Sequence, residues 1–236
     1  ADIWTIDGSL NTLSDRPGMD SQETNSYGIK ITKNFINFDL QSFTSSTKTD
    51  VIFSYDADWG NPDSHFPYIY DYFSETLRKR DTFSQEIRIL SKNTDFSQKK
   101  PFEWIFGMDF TELEETNVTG DDGIYGDPSD PYGPYSSESV ISRNYKAENF
   151  SLFGNIDYFL TKNYKLAIGL RWENWDSKYN DSNQESFNPS DNMNGGKISL
   201  IKNNESSNIY LSIAKGYKQG GFNIGLDATD SSIKDS

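Results

Sequence analysis

Apolar and polar residues alternate along most of the chain. In "YKLAIGLRWE", Tyr164, Leu166, Ile168, Leu170 and Trp172 fall on one side; Lys165, Ala167, Gly169, Arg171 and Glu173 fall on the other. Successive side chains of a β-strand point to opposite faces, so this run predicts a strand with one greasy face. "FEWIFGMDFT" repeats the pattern, with Phe102, Trp104, Phe106, Met108 and Phe110 set against Glu103, Ile105, Gly107, Asp109 and Thr111. So does "NFSLFGNIDY", with Phe150, Leu152, Gly154, Ile156 and Tyr158 against Asn149, Ser151, Phe153, Asn155 and Asp157. Weaker alternation covers roughly 26–33, 35–55, 79–91, 195–202 and 208–218. The reading is all-β, with about eight strands and helix confined to loop turns.

The connections have two lengths. Residues 33–34, a segment near 92–100, "LTKN" at 160–163 and "NNESS" at 203–207 are brief. Between them lie polar segments at roughly 56–77, 112–145 and 177–194, with another starting near 219. In an up-and-down antiparallel sheet every second connection lies at the same end. Strict alternation therefore predicts short turns at one end and long loops at the other, the asymmetry of outer-membrane barrels.

Alternation alone does not say which face is inside, because a soluble sandwich writes the same pattern. Aromatic placement bears on this. The apolar faces begin and end with Phe102 and Phe110, Phe150 and Tyr158, and Tyr164 and Trp172. Eight residues at about 3.3 Å each make about 26 Å along a strand. At a tilt near 40° the height is about 20 Å, close to the apolar band between the aromatic girdles of membrane barrels. The expected lipid-facing set is Trp104, Phe106, Met108, Leu152, Ile156, Leu166, Ile168, Leu170 and Trp172. It contains no charge.

Composition narrows the classes. The formal net charge of −14 argues against a nucleic-acid partner, whose phosphates need a basic surface. Hydrophobic content is 34% but aromatics reach 15%, as suits strands that hide apolar surface by alternation. With no cysteine there is no disulfide framework and no thiolate metal site. No apolar run is long enough for a membrane-crossing helix, which leaves membrane-crossing strands open.

"AKGYKQGGFN", from Ala214 to Asn223, resembles an element of TonB-dependent outer-membrane receptors, matched at Lys215, Gly216, Tyr217, Lys218, Gly220, Gly221, Phe222 and Asn223. "FSQEIRILS" at 83–91 looks like the family strand Ser-Gln-Glu-x-Arg-x-x-Ser. "AIGLRWE" at 167–173 resembles its Gly-Leu-Arg-Tyr strand, and "DADWGNPDSHFPYIY" at 56–70 looks like one of its external loops. The resemblance implies part of an antiparallel up-and-down transmembrane β-barrel over 1–236, with plug domain and C-terminal strands absent. It also implies a bacterial outer-membrane location, outer-membrane lipid, a plug and TonB as partners, and a small nutrient ligand. Siderophore-iron, cobalamin and saccharide are all compatible. An open porin pore is a close variant. A secreted soluble carbohydrate-binding module and a glycosidase stand as alternatives from other classes. The motif glycines suit a bulge or bend where a strand leaves its sheet. Tyr217 and Phe222 are candidate interface anchors.

No catalytic residue, cofactor or metal site is expected. His65 is the single histidine, read as a solvated loop residue. Asp56, Asp58 and Asp63, or Asp121, Asp122, Asp127 and Asp130, are oxygen donors of the type calcium takes, without EF-hand spacing. Glu86 with Arg88, and Arg171 with Glu173, share polar faces and suggest ion pairs that stiffen the wall. The expected ligand-contacting residues, on external loops, are Trp59, His65, Tyr68, Tyr70, Tyr132 and Tyr135, since aromatic faces hold chelates and sugar rings.

Overall fold

The computed structural model describes residues 13–92, 101–204 and 206–220. They form one open antiparallel sheet. Its strands are β1 (Met19–Asn34), β2 (Phe38–Asp56), β3 (Ile69–Ser91), β4 (Phe102–Gly126), β5 (Tyr135–Phe159), β6 (Tyr164–Asp181), β7 (Ser186–Phe187), β8 (Ser190–Asn203) and β9 (Asn208–Lys215). Each long strand pairs with its neighbour in sequence, β6 pairs with both β7 and β8, and β1 and β9 form the two edges. Among the described residues a single short helix, α1 (Pro62–His65), lies in the β2–β3 connection, capped by Asn61, which accepts from the Asp63 and Ser64 backbone N–H groups.

The register carries the two-faced pattern across the sheet. Trp104, Ile156, Ile168, Ile198 and Ile213 stand opposite one another in a single row. Phe102 faces Tyr158 and Phe110 faces Phe150, so two aromatic rows bracket that isoleucine row from eight residues apart. Phe150 and Trp172 meet edge to face, with ring centroids 6.2 Å apart. Among the described residues no second layer covers this apolar face: Leu170 is 68% exposed and Ile213 73%. A soluble sandwich would bury these side chains. Instead, the buried apolar side chains among the described residues are Trp175, Tyr179 and Met193, all on the opposite, polar face. Ser151, Glu173, Ser177 and Ser199 are buried there too. Side chains converge on the inside of a curved sheet, so the polar face is the concave one.

Glycine and aromatic residues interlock across β4 and β5. Gly107 stands opposite Phe153 on the polar face, and one row on, Gly154 stands opposite Phe106 on the apolar face. A Cβ at residue 154 would meet the Phe106 ring at 2.5 Å. Each ring lies over a bare glycine, a cross-strand device that pins register. Polar side chains on the apolar face also find partners beside the aromatic row: Gln85 accepts from the Thr44 hydroxyl at 2.6 Å and donates to Ser42 at 2.9 Å.

The short connections at 35–37, 160–163 and 204–207 share one end of the sheet, the end at which β3 stops and β4 starts. The others gather at the opposite end, as expected. Their extents are corrected, however. The segments 56–77, 112–145 and 177–194 are mostly strand, and the connections shrink to 57–68, 127–134 and 182–189. β4 and β5 each run for 25 residues. From Phe110 to Gly126, β4 extends for about 50 Å beyond the aromatic row. Apolar and polar residues no longer alternate cleanly along this extension, although the hydrogen-bond ladder continues. β1 likewise starts at Met19, before the expected 26, and β9 stops at Lys215, short of 218.

Candidate functional site

The polar face carries two groups of side chains, one level with the apolar band and one on the strand extensions. The first centres on Arg171. Its guanidinium forks onto Asp109, with Nη1 to Oδ2 at 2.9 Å and Nη2 to Oδ1 at 3.3 Å, while Nε reaches Glu173 Oε2 at 2.8 Å. Ser151 donates to Asp109, and Asn149 donates to Glu173 Oε1 at 2.9 Å. These residues alternate along β4, β5 and β6, so three strands bring them together. Glu173 is buried while Arg171 and Asp109 are partly exposed, and a buried charge persists when it is paired and hydrogen-bonded.

The glycine-rich motif joins this group. After β9 ends, Tyr217 Oη donates to Glu173 Oε2 at 2.8 Å and Gln219 Nε2 donates to Oε1 at 3.1 Å. Tyr217 thus turns onto the polar face and covers Gly195, where a Cβ would meet its ring at 2.9 Å. This corrects its reading as an interface anchor: the hydroxyl finds a buried carboxylate inside the wall. Gly216 leaves the strand end open, with no atom near a built Cβ. Lys215 Nζ donates to Asn194 Oδ1 at 2.9 Å, while Lys218 and Gly220 are exposed. Gly221, Phe222 and Asn223 lie outside the described residues. Elsewhere on this face Arg88 pairs with Glu86 at 3.3 Å and stacks over Phe43 at 4.4 Å.

The second group lines the outer mouth. Tyr70, Tyr72, Tyr125 and Tyr135 project from the ends of β3, β4 and β5 onto the polar face. The register pairs Tyr70 with Tyr125 and Tyr125 with Tyr135. Tyr70 lies 4.8 Å from Tyr72 and 6.5 Å from Tyr125 between ring centroids. His65 packs edge-on against Tyr70 at 5.1 Å, with Nε2 3.5 Å from Asp58 Oδ1. Asp58 is buried because it organises the loop, accepting from Gly60 N at 2.8 Å and Tyr72 N at 2.7 Å. His65 is therefore a packed loop residue and not a solvated one.

The six expected ligand-contacting residues divide. His65, Tyr70 and Tyr135 belong to the mouth cluster, and Tyr70 and Tyr135 stand on strands, not loops. Trp59, Tyr68 and Tyr132 are exposed on the connections, Tyr132 at 84%. Tyr135 Oη donates to Asp130 Oδ2 at 2.8 Å, and this bond holds the tyrosine pKa above its ordinary value. Asp127 accepts from the Ser129 hydroxyl and backbone N–H, which hold its carboxyl below the usual range.

The calcium candidates are not brought together. Asp58 is committed to its loop, and Asp121 and Asp122 point to opposite faces of β4. Asp122 pairs with Arg16 at 2.8 Å, alongside Asp71 at 3.3 Å. Among the described residues no three His, Asp or Glu side chains gather in a metal-holding group.

Sequence reasoning missed Asp109, Tyr72, Arg78 and Arg143. Their signal was parity: carrying the in–out count outward from Ile87, Met108 and Leu152 puts all four on the polar face.

The family profile described as "TonB dependent receptor-like, beta-barrel" matches residues 2–232. A search of curated protein sequences returns no match. Among solved structures, the chain is similar to the ferric yersiniabactin uptake receptor FyuA from Yersinia pestis, with TM-score 0.63 and 15% identity over 86% of this chain and 29% of that one. It is similar to the siderophore receptor PiuA from Acinetobacter baumannii, with TM-score 0.56 and 15% identity over 84% and 32%. It is also similar to the ferric citrate transporter FecA in its unliganded form, with TM-score 0.51 and 16% identity over 81% and 26%. At such identity the likeness is one of fold, and the chain spans about a third or less of each receptor's length. An uncovered apolar face between aromatic rows, a hydrogen-bonded polar wall behind it and a profile match over nearly every residue give one answer: the chain belongs to the TonB-dependent receptor β-barrel family.

Proposed function

We propose that this chain is a stretch of the wall of a bacterial outer-membrane receptor barrel. The complete protein takes up a scarce small nutrient, with energy delivered through TonB to a plug domain of its own. The carrying observation is the two-faced sheet, with uncovered apolar rows on one side and a hydrogen-bonded polar wall on the other; in this reading the first faces lipid and the second the lumen. In this reading the Asp109–Arg171–Glu173 group stiffens the wall at the level of the plug, and the tyrosines stand at the mouth where ligand arrives. No covalent step is needed, since the work is binding and passage. The soluble carbohydrate-binding and glycosidase readings lose support from the uncovered isoleucine row.

Among siderophore-iron, cobalamin and saccharide, the first is favoured because the similar receptors and transporter handle ferric yersiniabactin, a siderophore and ferric citrate. The test is deletion of the gene followed by growth under iron limitation, with fractionation of the epitope-tagged protein. The expected result is detergent-dependent recovery from outer membranes and a growth defect rescued by excess iron. Recovery in a detergent-free soluble fraction overturns the membrane assignment.

A further inference from the structure

The segment that leads into β1 lies down on the sheet. Residues 13–18 form a strap across the strand extensions, on the side continuous with the apolar rows. Gly18 sits so close to β2 that a Cβ there would collide with the Ser54 carbonyl. Arg16 reaches beyond β2, and its guanidinium stacks over the Phe73 ring of β3 at 4.4 Å. Its Nη1 donates to Asp122 Oδ2 of β4 at 2.8 Å and to Asp71 Oδ1 of β3 at 3.3 Å. Nη2 donates to Asp122 Oδ1 at 3.4 Å. Phe73 and Asp122 stand opposite one another and share the parity of Ile87 and Met108, which sets the strap on that face.

The strap also holds the β2–β3 connection. Asp15 N–H donates to the Gly60 carbonyl at 3.1 Å, and Asn61 Nδ2 donates to the Leu13 carbonyl at 3.0 Å. Gly60 is buried against His65, whose Nε2 a Cβ at residue 60 would meet at 2.5 Å. His65 in turn packs on Tyr70 of the mouth cluster. Contacts thus run from the strap on one side of the wall, through Gly60 and His65, to the tyrosines on the other.

One group beside the strap is left in deficit. Asp56, the last residue of β2, stands opposite Phe73 on the strap's face and is 4% exposed. Both of its carboxylate oxygens are closed off from solvent and have no hydrogen-bond partner among the described residues. The nearest cation of the strap, Arg16, is bonded to Asp71 and Asp122 instead. A dry carboxylate without partners opposes closure. The charge-assisted bonds and ring stacking of Arg16 favour it. The two opposing terms meet at one spot, and lifting the strap removes both together.

We propose that residues 13–18 are a two-position latch on the outside of the wall. Lying down, the strap holds the 57–65 stretch so that His65 closes on Tyr70. Lifted, it wets Asp56, releases Arg16 and frees His65 from the mouth cluster. Arg16 holds the latch down, and Asp56 drives it up. The proposal goes beyond the uptake reading and stands on the strap's own contacts, whatever ligand arrives.

The test is amide hydrogen exchange of the complete protein in detergent, read by mass spectrometry at 13–18 and 57–65. Carbethoxylation of His65 is followed in parallel, because its Nε2 is closed off from solvent in the latched state. Arg16→Ala is expected to speed exchange about tenfold in both segments and to raise His65 labelling, with β4 unchanged. Asp56→Asn keeps the shape and removes the buried charge. It is expected to slow exchange about fivefold in both segments and to lower His65 labelling. A merely packed strap would lose protection in both variants, so the opposite signs are the diagnostic result. Arg16→Lys keeps the charge without the fork, and it gives a smaller change in the same direction if the Ala variant does not assemble. Unchanged or faster exchange in Asp56→Asn overturns the opposed roles. Faster exchange at 13–18 alone in Arg16→Ala, with His65 labelling unmoved, overturns the link to the mouth. Either failure leaves the uptake reading intact.

Discussion

Replacing Ile168 by arginine puts the facing of the sheet to the test. Ile168 lies midway between Tyr164 and Trp172, in the row that runs from Trp104 to Ile213. Four residues separate it from each aromatic, about 10 Å of height at the usual tilt, so the new charge would sit near the bilayer centre. An arginine there costs about 2–4 kcal/mol. At about 1.4 kcal/mol per decade, the folded-to-unfolded ratio falls by about 30- to 700-fold. Ala167, one residue earlier, points to the polar face, opposite Asp157 and Ser199. Arginine at 167 enters a wall that already holds an Asp157–Lys165 ion pair at 2.7 Å and is expected to change stability by less than about 1 kcal/mol. The assay is urea unfolding of the complete receptor reconstituted in lipid vesicles, read by gel mobility of the folded barrel. Equal midpoints for the two variants, or a larger loss at 167, would refute the facing argument.

Further outcomes follow from the interlocked glycines, the Glu173 group and the loops. Gly107→Val drives two methyls into the Phe153 ring and the Ile87 carbonyl; it is expected to cost about 1–3 kcal/mol in the same urea assay, against near neutrality for Gly120→Val, where a Cβ meets open space. Glu173→Gln keeps the Arg171–Asp109 fork but replaces a carboxylate oxygen with a donor, so hydrogen exchange at 216–220 should speed about tenfold while that of β4 holds. Asp58→Ala leaves Gly60 N and Tyr72 N without their acceptor and is expected to destabilise the 57–68 connection by about 1–3 kcal/mol, seen as faster proteolytic nicking there. Asp127 has a folded pKa below its unfolded value, so its turn is fully stabilised above about pH 4 and loosens as acid titrates the lowered carboxyl. The Ser129 amide resonance should therefore hold its position down to that pH and move only below it.

The part of the fold that was legible is the part immersed in contrast. Between Phe102 and Phe110 one face is apolar and uncovered and the other carries polar groups, so alternation is sharp and the strand announces itself. Beyond Phe110 β4 reads Thr-Glu-Leu-Glu-Glu-Thr-Asn-Val-Thr, polar on both sides, and the same hydrogen-bonded ladder looks like loop. Tyr70 and Tyr135 were legible as aromatics near the mouth but not as strand residues, for the same reason. The role of Tyr217 was hidden because its partner, Glu173, lies 44 positions away. The ion pairs Glu86–Arg88 and Arg171–Glu173 were within reach because each joins residues two apart on one strand.

The length of the strands beyond the aromatic rows has a consequence for how this protein can change. Side chains on those stretches keep their facing only in steps of two. A deletion of two residues from each arm of the β4–β5 hairpin lowers the rim while Arg78, Asn117 and Arg143 keep their direction, provided the cut falls above them. A deletion of one residue from one arm turns the remaining tip inside out or forces a bulge. Rim height is therefore a quantised trait, adjustable in matched pairs without redrawing what the interior presents to an arriving molecule.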